Sequence, residues 1–388
     1  MNGNRTRIID IAQELGVSTA TVSNVIHGKT KKISDETVKR VQELLEKKQY
    51  IPSMAGILLA QNDSRIIGIV VNDHEKYEKH VLEDSFIAAS LNALSIELEK
   101  AGYFMMVKVT SDRKDIIRFA SMWNMEGLVL IGFCSQDYMK LRESMHIPFV
   151  IYDGYFDECR NDLTEQSHRA AMDLTEQSHR AATDLTEQSH RAAMDLTERS
   201  HRMIADGPER VCNLVIDDYG GGLLVGKHLS SMGHENVLCI ADNDICMDRE
   251  RIEGCRAGLQ SGTADFLQIP MEQEARSRFY TERMAEILQY SAVFAVSDFY
   301  AIELIYFLQE HGIRVPEDIS VVGFDDIPLC TRIHPSLTTV RQSASERAEC
   351  AVETLKSLKT GNCKEKQKKL SVYLVERCSV KRMTLPEQ

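Results

Sequence analysis

Residues 8–28 read IIDIAQELGVSTATVSNVIHG, and this stretch decides how the chain begins to fold. Apolar residues recur there at intervals of three and four, which is the period of an α-helix. Gly16 interrupts the pattern, and Ser18 is placed to cap a second helix at its N-terminus. A third helix follows, with Ser34 as its cap and Lys47-Lys48 near its end, where cations suit the helix dipole. The sequence therefore predicts three short helices, the first two separated by a glycine turn.

This arrangement is the one that places a second helix in the major groove of DNA. The start of the predicted second helix carries short side chains, most with a hydroxyl or amide group, that can contact phosphates or base edges. A three-helix module that binds protein is the alternative, and the pattern alone leaves it open. For the DNA-binding interpretation, the predicted contacts are Ser18, Thr19, Ala20, Thr21, Ser23 and Asn24.

Composition and charge agree with a small basic segment ahead of an acidic body. The chain has 388 residues, which is enough for two or three globular domains. It carries 46 Lys and Arg and 58 Asp and Glu, of which residues 1–60 hold nine and six. Polyanion contact is therefore expected only at the N-terminus. Because neither a long uncharged apolar run nor a signal peptide is visible, we expect a cytoplasmic protein without membrane contact.

The sequence gives little support to a metal site or an enzyme. The ten cysteines are never closer than seven positions apart, which matches neither a CxxC pair nor zinc-ligand spacing. No Ser, His or Cys stands in the context of a nucleophile, although paired carboxylates in a cleft leave hydrolysis as an alternative. We therefore expect no metal, no cofactor and no catalytic residue.

From residue 66 onward, short apolar runs alternate with helical stretches. Continuous apolar strands separated by helices predict parallel sheets covered on both faces. Ligands of such sheets bind past the carboxyl ends of the strands, so Asp153, Asp298 and Asp325 are candidate ligand contacts, with helix capping as the alternative for each. Asp217-Asp218 before Gly220 predicts the start of a helix rather than a phosphate loop. The strand runs cover residues 66–71, 104–109, 127–133, 147–153, 211–217, 236–242, 292–298 and 319–326.

Residues 162–203 form an internal repeat of eleven residues, DLTEQSHRAAM and its near copies. Eleven residues return to nearly the same face of a helix, which predicts an exposed helix with its leucines in one stripe. Successive histidines of the repeat would lie about 16 Å apart along that helix, too far to share one metal ion. We interpret the repeat as a tolerated surface insertion.

Several motifs occur together in one order: DIAQELGVSTATVSNVIHG, ISDETVKRV, Tyr50-x-Pro52, RIIGIVV, VVGFDD and PSLTTV. With this set the chain resembles the lactose-repressor/galactose-repressor (LacI/GalR) family of bacterial transcription regulators, apart from residues 160–206. The resemblance implies an N-terminal all-α helix-turn-helix headpiece and an α/β, periplasmic-binding-protein-like body of two doubly wound parallel-sheet subdomains. The implied boundaries are 1–49 for the headpiece, 50–64 for a hinge and 65–388 for the body, with an N-subdomain of about 65–216 and 341–366 and a C-subdomain of about 217–340 and 367–388.

The resemblance also implies roles for particular residues. Thr19, Ala20 and Asn24 match the positions that read bases, and Leu59 matches a hinge leucine that separates a base step in the minor groove. The implied contacts of an effector between the subdomains are Phe86, Asp153, Arg251, Ser297, Asp298, Asp325 and Gln342.

The function implied is that of a homodimeric regulator, in most cases a repressor. Two headpieces would occupy the half-sites of a pseudo-palindromic, double-stranded DNA operator. A small-molecule effector, a sugar or a related metabolite, would bind between the subdomains and change the affinity for that operator.

Overall fold

The computed structural model describes residues 6–26, 28–50, 64–74, 79–133, 135–154, 210–244 and 246–383. It divides into two compact units, Met1–Ser64 and Arg65–Gln388, each of which is described by itself. The predicted repeat at 162–203 and the predicted wedge residue Leu59 lie outside the described residues. Most of the predicted hinge, residues 51–63, lies outside them as well.

The first unit contains the three predicted helices, α1 (Ile8–Leu15), α2 (Thr19–Ile26) and α3 (Asp35–Lys47). Gly16 ends α1 with a φ of 67°, a left-handed conformation that glycine adopts without strain. The helices pack around a small apolar core that includes Ile11, Val22 and Val41. The predicted caps and the end of the third helix are confirmed, because Ser34 accepts a hydrogen bond from the Thr37 amide and α3 ends at Lys47.

The second unit alternates strands and helices, as predicted. Its strands are β1 (Ile66–Val71), β2 (Phe104–Val109), β3 (Gly127–Ile131), β4 (Phe149–Tyr152), β5 (Val211–Ile216), β6 (Asn236–Ala241), β7 (Thr263–Gln268), β8 (Ala292–Ala295), β9 (Ser320–Asp325), β10 (Thr338–Arg341), β11 (Gln367–Leu370) and β12 (Tyr373–Val375). Its helices are α4 (Ser85–Lys100), α5 (Arg113–Met122), α6 (Ser135–Ser144), α7 (Asp218–Ser231), α8 (Cys246–Gly258), α9 (Gln273–Ile287), α10 (Asp298–Glu310) and α11 (Ala344–Lys359).

The strands form two six-stranded sheets. The first has the order β11-β5-β4-β3-β1-β2 and is parallel throughout. The second has the order β12-β10-β9-β8-β6-β7 and is parallel except for β12, which runs antiparallel to β10. Each sheet is covered on both faces, so the predicted fold of two doubly wound subdomains is confirmed.

Apolar clusters show which helices cover which face. On the first sheet, α4 and α11 pack against one face and α5 and α6 against the other. On the second sheet, α9 and α10 cover one face and α7 and α8 the opposite one. The carboxyl ends of the strands stay uncovered by these helices, and they carry the candidate ligand contacts.

One predicted boundary is corrected by strand pairing. The N-subdomain was predicted to end at about residue 366, but Gln367–Leu370 forms β11 and pairs with β5 from Gln367↔Asn213 to Leu370↔Ile216. The chain therefore crosses to the second sheet only between Leu370 and Tyr373. With the segments that follow β5 and β10, this crossing completes the three connections between the sheets.

Two searches of the described residues found nothing. No described helix is both long enough and apolar enough to cross a bilayer. Likewise, no group of three or more His, Cys, Asp or Glu side chains among the described residues is arranged to hold a metal ion.

Candidate functional site

The start of α2 is held by its own hydroxyl groups. The Thr21 amide donates a hydrogen bond of 3.0 Å to Ser18 Oγ, and the two side-chain hydroxyls lie 2.8 Å apart. Ser18 is thus the predicted N-terminal cap, and its oxygen satisfies a helix donor that would otherwise lack a partner. Among the predicted DNA contacts, Ser18 and Thr21 therefore have a structural role in α2, which fixes where the neighbouring side chains point.

The remaining predicted DNA contacts lie on the outer side of α2. Thr19, Ala20 and Asn24 are exposed, and Ser23 is half-buried, whereas Val22 and Val25 on the other side of the helix are buried against α1 and α3. Ala20 and Asn24 are four positions apart and share one face. A rigid helix therefore presents short polar and apolar side chains outward, as base reading in a groove requires.

A cationic segment follows α2 and was not singled out from the sequence. Lys29, Lys31 and Lys32 are all exposed in the connection between α2 and α3. Lysines of this kind attract DNA phosphates without regard to base sequence. The run KTKK was the available signal, but a charge run is also common on ordinary solvated surfaces.

In the second unit, Arg251 is fixed by groups from three elements. It is 5% exposed, and its Nε donates a hydrogen bond of 2.8 Å to Asp218 Oδ1 at the start of α7. Its Nη1 donates to the carbonyl of Val296 at 2.7 Å, and the guanidinium lies 3.8 Å above the centre of the Phe324 ring. Only Met247 Sδ, at 4.0 Å, is near Nη2. The side chain is therefore preorganised, with one of its amino groups left for a further acceptor.

The pairing of Arg251 with Asp218 depends on how closely α7 approaches α8. A Cβ on Gly222 would lie 1.9 Å from the carbonyl oxygen of Arg251, so only glycine fits there. Gly220 belongs to the predicted helix start, which is confirmed because its amide donates to Asp217 Oδ1 at 3.0 Å. Asp218 itself was not predicted as a site residue. Burial raises its pKa to about 6, while the charge of Arg251 acts to lower it.

Asp325 lies at the carboxyl end of β9 in an unusual backbone conformation. Its φ is 120°, which side chains other than hydrogen rarely allow, and such strain is often kept at binding sites. Gln342 Nε2 donates a 2.5 Å hydrogen bond to Asp325 Oδ1. Burial raises the pKa of Asp325 to about 8, the nearby Asp298 raises it further, and Arg251 and the Gln342 hydrogen bond oppose the rise. The carboxyl group is therefore protonated at neutral pH and can both donate and accept hydrogen bonds.

Arg347 connects the two halves of the site. It is 2% exposed and lies on α11, with Nη2 2.5 Å from Asp153 Oδ1 and 3.0 Å from the Leu214 carbonyl oxygen. Its Nη1 donates to Gln342 Oε1 at 3.1 Å. A continuous series of polar contacts thus runs from Asp153 through Arg347 and Gln342 to Asp325, from the first sheet to the second.

Two aromatic rings border Arg347. Its guanidinium lies 4.3 Å from the ring centre of Tyr152 and 5.8 Å from that of Phe86. Phe86 is half-buried near the start of α4 and also packs against the apolar core. This predicted ligand contact is therefore beside the polar groups but contributes to the fold as well. We call Asp153, Asp218, Arg251, Asp325, Gln342 and Arg347 the polar cluster.

Two predicted effector contacts do not join the polar cluster. Asp298 is fully buried, and its carboxylate accepts hydrogen bonds from Thr339 Oγ1 at 2.5 Å, the Ile327 amide at 2.9 Å and Cys330 Sγ at 3.0 Å. With both oxygens occupied by the chain itself, its expected role as a ligand contact is corrected to that of a side chain that holds the loop after β9. Ser297 caps α10 by accepting from the Tyr300 amide, which is the capping alternative.

Replacing Asp325 with asparagine is expected to flatten the dependence of stability on pH. The native state keeps this proton up to about pH 8, whereas the unfolded chain loses it near the usual value of 3.8. Since the native state then binds more protons, the free energy of unfolding falls as pH rises through this window, by at most about 1 kcal/mol per pH unit. Asparagine cannot ionise but still accepts the bond from Gln342.

The measurement is urea unfolding of both proteins from pH 6.5 to 8.5. Asp218 and Asp298, with pKa values of about 6, contribute mainly below this range. The parent should lose stability relative to the variant as pH rises. Parallel curves would mean that Asp325 is already ionised at pH 6.5.

A capped second helix with an exposed outer face, followed along the chain by two doubly wound subdomains with a polar cluster between their sheets, defines a DNA-binding regulator. Residues 7–53 match the family described as bacterial regulatory proteins, lacI family, and residues 227–380 match the periplasmic binding protein-like domain. The chain belongs to the lacI family of bacterial regulatory proteins.

Relatives and solved structures agree with this assignment over most of the chain. The chain is 28% identical over 366 residues to the HTH-type transcriptional repressor PurR of Aliivibrio fischeri strain ES114, covering 90% of each protein. It is 25% identical over 382 residues to the HTH-type transcriptional regulator DegA of Bacillus subtilis, covering 94% of each. A lac repressor dimer bound to operator and the anti-inducer ONPF superposes with a TM-score of 0.73 at 19% identity, covering 97% of this chain and all of the other.

Proposed function

We propose that this protein is a homodimeric transcription repressor that binds a pseudo-palindromic operator through α2. A small polyhydroxylated ligand, a sugar or a related metabolite, binds at the polar cluster and changes the affinity for the operator. The protein is a regulator and not an enzyme, and it acts in the cytoplasm, where bacterial DNA lies. The observation that carries this proposal is the series of contacts from Asp153 to Asp325, because a ligand held there touches both subdomains at once.

The chemistry of the polar cluster suits hydroxyl groups. A protonated Asp325 offers a donor and an acceptor, and Arg251 has an amino group that no protein oxygen occupies among the described residues. Paired donors and acceptors of this kind bind vicinal hydroxyls well. Structural relatives with TM-scores of 0.59 include a LacI family regulator from Enterococcus faecium with bound ribose and a regulator named CelR in complex with cellobiose.

Helix α11 provides a route from the polar cluster to the start of the body. Arg347 lies in its first turns, and Lys359 at its other end bonds Glu126 Oε2 at 2.5 Å. Glu126 Oε1 accepts from the amide of Arg65, which has a left-handed φ of 51° and is the first residue after the predicted hinge. A rigid helix that moves with Arg347 would therefore also move the point where the hinge leaves the body.

Exposed apolar side chains support a dimer. Around β2, the edge strand of the first sheet, Ile96, Phe104, Met122 and Trp123 are each more than 40% exposed. In the second subdomain, Phe299, Tyr306 and Leu329 are similarly exposed. Apolar side chains of this size are commonly covered in an assembly, and the lac repressor relative is described as a dimer.

The function is tested by asking whether a ligand changes DNA binding. A thermal-shift screen of sugars, nucleosides and phosphosugars identifies a ligand, because binding to the native state raises Tm. The affinity for a DNA fragment selected from bacterial genomic DNA is then titrated with and without it. We expect a change of at least about 5-fold, in either direction. An unchanged affinity together with turnover of the ligand would instead establish an enzyme.

A further inference from the structure

A second pocket lies in the first subdomain, away from the polar cluster. It has a volume of about 500 Å³, which is in the range of small-molecule sites. It lies between α5 and α6, past the carboxyl ends of β2 and β3. Its lining residues are Ser111, Arg113, Ile116, Phe133, Lys140 and Leu141.

The pocket has an apolar floor and a cationic rim. Ile116, Phe133 and Leu141 are buried and form the floor, while Arg113 and Lys140 are exposed. Within the described part of the chain, neither cation forms an ion pair. The acidic residues next to Arg113 are engaged elsewhere, since Asp112 caps α5 by accepting from the Lys114 amide at 2.7 Å and Asp115 lies 3.9 Å from Lys108. Both positive charges are therefore available to a ligand.

The first sheet separates this pocket from the polar cluster. The floor residues belong to the apolar cluster on the face covered by α5 and α6. Phe86 and Arg347 lie on α4 and α11, which cover the opposite face. The charges also differ, because the polar cluster is rich in carboxylates and the pocket rim carries two cations. A ligand for one site is thus chemically unsuited to the other.

We propose that this pocket binds a small organic anion, namely a ring that carries a phosphate or carboxylate group. The ring lies on the apolar floor, where its burial is favourable, and the anion lies between Arg113 and Lys140, with the Ser111 hydroxyl as a further donor. The site is additional to the proposed effector site, so the protein would respond to two classes of metabolite.

Calorimetric titration of the full chain with phenyl phosphate tests the proposal. We expect saturable binding with a Kd of about 1 mM or lower, and inorganic phosphate should bind about 10-fold more weakly because it lacks the ring. In the double variant R113A/K140A, the affinity for phenyl phosphate should fall at least about 10-fold. The matched control K114A/R118A removes two exposed cations from α5 outside the pocket, and it should bind like the parent.

Three results would overturn the proposal. One is the absence of saturation by phenyl phosphate, and another is an equal loss in both double variants, which would reflect bulk charge alone. The third is a loss of phenyl phosphate binding in Asp325→Asn with none in R113A/K140A, which would place the probe at the polar cluster. None of these outcomes bears on DNA binding, so failure here is distinct from failure of the proposed function.

Discussion

Replacing Arg347 with methionine is expected to lower the free energy of unfolding of the body by about 3–5 kcal/mol, because it removes one partner of a buried ion pair. The substitution leaves Asp153 without its cation and the Leu214 carbonyl and Gln342 without their donor. Methionine fills much of the same volume, so the loss comes from these polar groups rather than from a cavity. Urea unfolding of parent and variant measures the difference.

Two further variants make this result specific. Arg283→Met removes an exposed arginine that pairs with Glu286 on the same helix, and it should change stability very little. Asp153→Asn in the Arg347→Met background neutralises the carboxylate left unpaired and should recover part of the loss. If Arg347→Met costs no more than Arg283→Met, the polar contacts between the sheets contribute little to the fold.

The sequence predicted the elements whose signals are local. The helices of the first unit follow from apolar spacing and from caps at Ser18 and Ser34, and the central strands follow from continuous apolar runs. The strands β7 and β11 were not predicted because they lie at or near sheet edges and alternate between buried and exposed residues. Such short half-polar runs carry no continuous apolar signal, and their pairing depends on the sheet.

For the site, the strand-end rule was partly successful. It selected Asp153 and Asp325, which do belong to the polar cluster, but also Asp298, where a helix starts at once and loop groups occupy the carboxylate. Arg347 was missed, although an arginine shares the buried face of α11 with Ala351 and Leu355 and was a visible signal. Its partners were not foreseeable, since Leu214 is 133 residues away in sequence and is brought near only by the crossings between the sheets.

The central claim is that the exposed face of α2 reads DNA bases, and the double variant T19A/N24A tests it most directly. Each lost base contact costs about 1–3 kcal/mol, so the affinity for the selected DNA fragment at fixed salt should fall about 100-fold or more. Binding to unrelated DNA should be retained, because Lys29, Lys31 and Lys32 are unchanged.

Gln42→Ala, on the exposed surface of α3, serves as the control and should bind like the parent. Thermal unfolding establishes that each variant is folded, which the exposure of Thr19 and Asn24 leads us to expect. We predict that T19A/N24A no longer distinguishes the selected fragment from unrelated DNA. A folded T19A/N24A protein that binds this fragment as tightly as the parent would contradict the account.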